Sequence, residues 1–165
     1  MANERPAFEV RQFGPLKVAL LLFPALAPGL KSAPQVVGQA VADKALSLRE
    51  RADLVIGISP WGVAAEEDFL VSRGHTVDIL LGAGPGPGFL ARPMAQDAVL
   101  WIRAYAQGKT VHQVTIKSLP RRTPDWKWVR DQNVAVLLQS LTETITNDSD
   151  MDALLAGFHL ENPAN

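Results

Sequence analysis

The sequence predicts an α/β fold in which parallel strands with covering helices are followed by an antiparallel hairpin. Three observations carry this. Short runs of Val, Ile and Leu recur along the first half, helical patterns separate them, and from Asp97 onward apolar and polar residues alternate instead. The first run, Leu16 to Leu22, reads as a buried strand. Val36 to Ala52 then places Val37, Ala40, Val41, Ala45 and Leu48 at helical spacing with polar residues opposite, so this segment is expected as an amphipathic helix on the sheet. Asp53 to Ile58 ("DLVIGI") reads as the second strand. Ala64 to Gly74 carries acids in its first turn and a glycine at its end, as the helix dipole and a left-handed C-cap favour. Val77 to Gly82 is the third strand.

Beyond it, "DAVLWIRAY" and "TVHQVTIKSL" flank "AQGK" and read as a hairpin turning at Gln107 and Gly108, with Val99, Trp101 and Arg103 on one face. Residues 133–146 fit a helix through Val134, Leu137, Leu138, Leu141 and Ile145. Their β-branched members also fit a strand, and the balance tips to strand. "SDMDALLAGF" is expected as a short helix capped by Ser149 or Asp150.

With 165 residues and 47% apolar content, one domain spanning 1–165 is expected. Sixteen Lys and Arg against 17 Asp and Glu leave no overall field directed at nucleic acid or an anionic membrane, so neither is an expected partner. The absence of cysteine excludes disulfides, thiolate metal sites and cysteine nucleophiles. "VALLLFPALAPGL" is too short, and too broken by Pro24, Pro28 and Gly29, to be a membrane helix. No export signal precedes it, since Glu4, Glu9 and two prolines stand where basic residues would.

Two loops draw attention because ligands commonly bind at the carboxyl ends of parallel strands. "GAGPGPG", with Gly82, Gly84 and Gly86, is rich enough in glycine for a phosphate cradle. It lacks a following helix and a Lys-Ser/Thr ending, and Pro85 and Pro87 remove two N–H donors, so a plain loop is the better reading. "SPWG", with Ser59, Pro60, Trp61 and Gly62, half matches a nucleophile elbow. Trp61 stands where the second glycine would, and no histidine adjoins Ser59, so a structural turn is favoured.

Glu66, Glu67 and Asp68 read as helix-start acids rather than as an acid–base pair. His75, His112 and His159 lack ligands at metal spacing. "RRTPDWKWVR" offers cations and indoles that could stack on single-stranded nucleic acid. In a neutral chain it reads instead as a loop whose Trp126 and Trp128 pack down while the cations stay solvated.

In order, "LKVALLLFPAL", "ADLVIGISPWG", "VDILLGAGPGPG" and "MAQDAVLWIRAYAQGKTVHQVTI" resemble the second half of the calcineurin-like metallophosphoesterase domain, in the form found in bacterial 5'-nucleotidases and UDP-sugar hydrolases. The likeness covers Phe8 to Leu119, which implies a metallophosphoesterase-like core over 8–119 and a strand and helix extension over 120–165. It implies half of a four-layer α/β/β/α sandwich. It also implies that the histidine of an "LSHlG" motif and two of a "GGHsH" motif, which hold a catalytic metal pair in the family, correspond here to Pro60, Gly84 and Gly86. None of these ligates a metal through its side chain.

The family's first-half signatures are absent. The resemblance therefore implies a degenerate, non-catalytic module for binding or assembly, with no cofactor. The partner would be a second copy or a first-half domain, and a small phosphorylated ligand is a further candidate. A divalent metal pair would enter only if a first half supplied its ligands. An exported location is implied by the resemblance alone. The alternative from another class is a metal-free nucleotide- or phosphate-binding protein using the same two loops.

Overall fold

The computed structural model describes residues 5–27, 29–105, 108–142 and 144–156. A six-stranded sheet runs in the order β1 (Ala7–Phe13), β2 (Leu16–Leu22), β3 (Leu54–Ser59), β4 (Ile79–Gly82), β6 (Val99–Arg103), β5 (Phe89–Met94). Its four central strands are parallel, and each edge strand is antiparallel to its neighbour. Helices α1 (Gln35–Arg49) and α2 (Val63–Arg73) supply the crossovers after β2 and β3. A separate antiparallel pair joins β7 (Thr110–Ile116) to β8 (Val134–Ser140), and α3 (Ser149–Leu155) follows.

Period-two alternation in the strands divides the core between the two faces of the sheet. On one face Ala19, Leu21, Val55, Leu80, Val99 and Trp101 pack against Val41, Ala45 and Leu48 of α1 and Phe69 and Leu70 of α2. On the other, Val18, Leu54, Ile79, Leu100 and Ile102 pack against Trp128, Val134 and Val136. The described residues thus form three layers of helices, large sheet and small sheet, as expected for part of an α/β/β/α sandwich.

The small sheet leaves one row of the second face open. In the parallel register Leu22, Ile58 and Leu81 lie side by side at the carboxyl ends of β2, β3 and β4, and all three are exposed.

Several expectations require correction. The strand at Leu16–Leu22 forms as read but is not the first. Ala7–Phe13 precedes it as an edge strand, turning through Gly14, where φ is 59°, and Pro15. The hairpin expected around Gln107 and Gly108 does not form. All five residues of β6 are buried because both faces of the sheet are covered there, and its two edges are taken by β4 and β5. The other arm, β7, pairs with β8 instead, while Gln107 itself lies outside the described residues.

The strand at β5 tolerates Pro93 because it lies at the sheet edge. Gly74 is right-handed at φ −56°, so α2 runs on into a 3-10 turn over Gly74–Thr76 rather than ending in a left-handed cap. Asp148, not Ser149 or Asp150, caps α3, accepting from the N–H groups of Asp150 and Met151. The strand reading of 133–146 holds for Val134–Ser140.

Candidate functional site

The two loops singled out in the sequence meet at the carboxyl ends of β3 and β4. Their backbones zip together. Ala83 N–H donates to Ser59 O at 2.7 Å, Gly62 N–H to Ala83 O at 2.9 Å, and Val63 N–H to Pro85 O at 2.9 Å. The glycines are what permits this approach. Gly84 sits at φ 78°, and a Cβ there would run into the carbonyl oxygen of Pro60. Gly62 lies against Pro85 and Gly86 against Val63, so the space that a phosphate would need is filled by the partner loop.

Beneath the loops lies an ion pair that sequence reading missed. Glu66, expected as a helix-start acid, is fully buried, and its carboxylate pairs with Arg103, whose side chain is only 3% exposed. Glu66 also accepts from Trp101 Nε1 at 2.9 Å and from Ala83 N–H at 3.2 Å. Arg103 then donates to the carbonyls of Ala83 (3.0 Å), Gly84 (2.9 Å), Pro85 (3.3 Å) and Pro87 (3.2 Å). The glycine loop is thus threaded around a guanidinium, with its carbonyls turned inward. This is the reverse of a phosphate cradle, which turns N–H groups toward its anion. Gly82 is required for the same reason, because Glu66 occupies the space of a Cβ at that position.

Ser59 is fully buried, and its Oγ accepts from Trp61 N–H at 3.1 Å, closing a local turn. Trp61 is buried against Phe23 and Phe69, with ring centroids 4.8 and 5.8 Å away, and Nε1 donates to Pro24 O at 2.6 Å. Pro60 is exposed at the rim. The structure therefore brings Ser59, Pro60, Trp61, Gly62, Gly82, Gly84 and Gly86 together, and gives them packing and turn roles.

Among the described residues no three His, Cys, Asp or Glu side chains gather in a group that could hold a metal ion. Neither the prolyl and glycyl positions nor the ion-paired Glu66 offers a donor set fit for a divalent pair. His112 stacks edge-on against Tyr105 at 5.4 Å, and His159 lies outside the described residues. No described helix is long and apolar enough to cross a membrane.

No protein-family model matches the sequence, and no curated protein matches it significantly. Among solved structures, the chain is similar to a Staphylococcus aureus protein provisionally described as a 5'-nucleotidase and crystallised with alpha-ketoglutarate. The TM-score is 0.55 at 13% identity, covering 89% of this chain and 32% of that one. The chain thus has a nucleotidase-like α/β fold and spans about a third of that neighbour's length.

The interlock predicts a stability effect. Gly84→Val forces a β-branched residue into the left-handed region and is expected to cost about 1–3 kcal/mol from backbone strain alone, before the clash with Pro60 is added. Urea unfolding measures it, and a variant as stable as the parent would show that the loops are not interlocked.

Proposed function

We propose that this chain is a 5'-nucleotidase-like module without a hydrolytic centre of its own, serving in binding or assembly. One observation carries the reading: the loops where a metallophosphoesterase would place its ligands are closed on each other and on Arg103, with Pro60, Gly84 and Gly86 at the ligand positions. Beside that closed site the sheet keeps the open row of Leu22, Ile58 and Leu81. Apolar sheet faces are covered in folded proteins, so this row supports an occupant in the form of a second copy or a companion domain.

A working phosphoesterase completed by another segment is the second reading, supported by the small share of the neighbour that this chain spans. Two measurements separate them. Light scattering of the chain alone is expected to give a dimer at micromolar concentrations. Incubation with manganese or zinc, followed by gel filtration, is expected to leave no bound metal and no turnover of generic phosphate esters. Retained metal with turnover would overturn the proposal in favour of the second reading. A metal-free monomer would sink self-assembly and leave a companion domain as the occupant.

A further inference from the structure

At the opposite end of the sheet from the glycine loops, "RRTPDWKWVR" crosses from the last residue of α1, met by Arg122, to the sheet face opposite the helices, where Trp128 packs, and joins residues far away in sequence. Asp78, just before β4, is 1% exposed. Its Oδ2 accepts from Val55 N–H at 2.8 Å and from Arg122 Nη2 at 3.1 Å, and Arg49 Nη2 lies 3.2 Å from its Oδ1 as an ion pair. Two guanidiniums, with side chains only 18% and 21% exposed, therefore share one carboxylate. One positive charge is left over in a poorly solvated place, where an uncompensated charge is costly.

Burial holds the Arg49 guanidinium below its ordinary pKa, Asp78 opposes this, and the neighbouring Arg122 adds to it. The pair opens onto a cleft of about 710 Å³ walled by Leu46, His75, Gln96 and Trp126. Its other acid, Glu50, is exposed, and an adjoining hollow brings Lys17, Arg51 and Arg121 to the same rim, along with Asp53. Two donors of the cleft residues, Arg122 Nε and Trp126 Nε1, are buried without an acceptor among the described residues. Buried donors are nearly always satisfied, so these two lack an acceptor, and the carboxylate of the cleft that Asp78 does not supply, Glu50, stands out in solvent. Arg122 and Gln96 are both held at φ 59°, in the left-handed region that non-glycine residues seldom adopt.

We propose that this cleft binds a phosphate-type oxyanion, as free phosphate or as the phosphate of a small monoester, with Arg49, Arg122 and Trp126 as its donors. A tetrahedral dianion supplies both missing quantities, and the planar fork of arginine matches its oxygens. The site is independent of the closed loops at the other end of the sheet and does not rest on the nucleotidase-like reading.

The test is calorimetric titration of the whole chain with inorganic phosphate and with phenyl phosphate, in a phosphate-free buffer at constant ionic strength. Saturable binding with a Kd of about 1 mM or tighter is expected. Arg122→Gln should weaken it by about tenfold or more. Trp126→Phe should weaken it by about 2- to 10-fold through the lost donor. Arg11→Gln, on the far edge strand, should leave it unchanged.

If Arg122→Gln fails to fold, the indole N–H resonance of Trp126, assigned by its loss in Trp126→Phe, decides instead by shifting as phosphate is added to the parent. Tighter binding of phenyl phosphate assigns a monoester, and equal binding assigns the free ion. No saturation with either anion, equal weakening by Arg11→Gln, or binding of an oligonucleotide but of neither small anion would overturn the proposal.

Discussion

Glu66→Ala is expected to destabilise the protein by about 3–5 kcal/mol, a large share of the total stability of an ordinary domain. The substitution leaves Arg103 as an unpaired cation under the sheet's end, and strips an acceptor from Trp101 Nε1 and from Ala83 N–H. The charge and the Trp101 donor are buried and cannot be rehydrated cheaply, while Ala83 N–H keeps its bond to Ser59 O. Urea unfolding is the measurement, and a loss below about 1 kcal/mol would mean that the pair is solvated in solution.

A companion variant separates charge from architecture. Glu66→Leu with Arg103→Met replaces the pair by apolar side chains of similar length, and such exchanges are often neutral for stability. Much of the loss should therefore be regained. The four carbonyls that Arg103 held would still be released, so the amides of Ala83 and Gly84 should exchange with solvent faster than in the parent. Recovered stability with unchanged exchange would show that backbone zipping alone fixes the loop.

The fate of Glu66 shows where sequence reasoning was sound and where it failed. Leu16–Leu22 was legible residue for residue, because a buried strand bracketed by a turn and a helix leaves little choice of phase. The helix over Gln35–Arg49 was legible from five apolar positions at one spacing. What could not be read were the pairings. Val99–Arg103 and Thr110–Ile116 both carry strand patterns, yet alternation says nothing about which strand lies beside which. Phe89–Met94 was hidden by Pro93, which reads as a breaker until its edge position is known.

The candidate site divides in the same way. That "SPWG" and "GAGPGPG" would meet followed from the parallel order of β3 and β4. Glu66 at a helix start and Arg103 on an alternating strand each had an adequate local explanation, and only the fold brings them together 37 residues apart. One signal was available: Trp101 and Arg103 share a face with Val99, so a cation was pointing into an apolar layer and required a buried anion.

Asp78→Ala is the second large effect, expected at about 3–5 kcal/mol by the same logic but with the charges reversed in number. Where Glu66 leaves one cation stranded, Asp78 leaves two, Arg49 and Arg122, close enough that each acts on the other, together with the N–H of Val55 at the start of β3. The difference lies in solvent access. Arg103 is 3% exposed, whereas Arg49 and Arg122 are 18% and 21% exposed and border an open cleft.

The loss in Asp78→Ala is therefore expected to shrink as phosphate or sulfate is added at constant ionic strength, since an anion in the cleft can replace part of the missing carboxylate. The loss in Glu66→Ala is expected not to respond, because nothing that size reaches Arg103. Urea unfolding of both variants, with and without the anion, tests the contrast. An equal response in the two would mean that the anion acts through general salt effects, while rescue of Asp78→Ala alone places a binding-competent charge excess at Arg49 and Arg122.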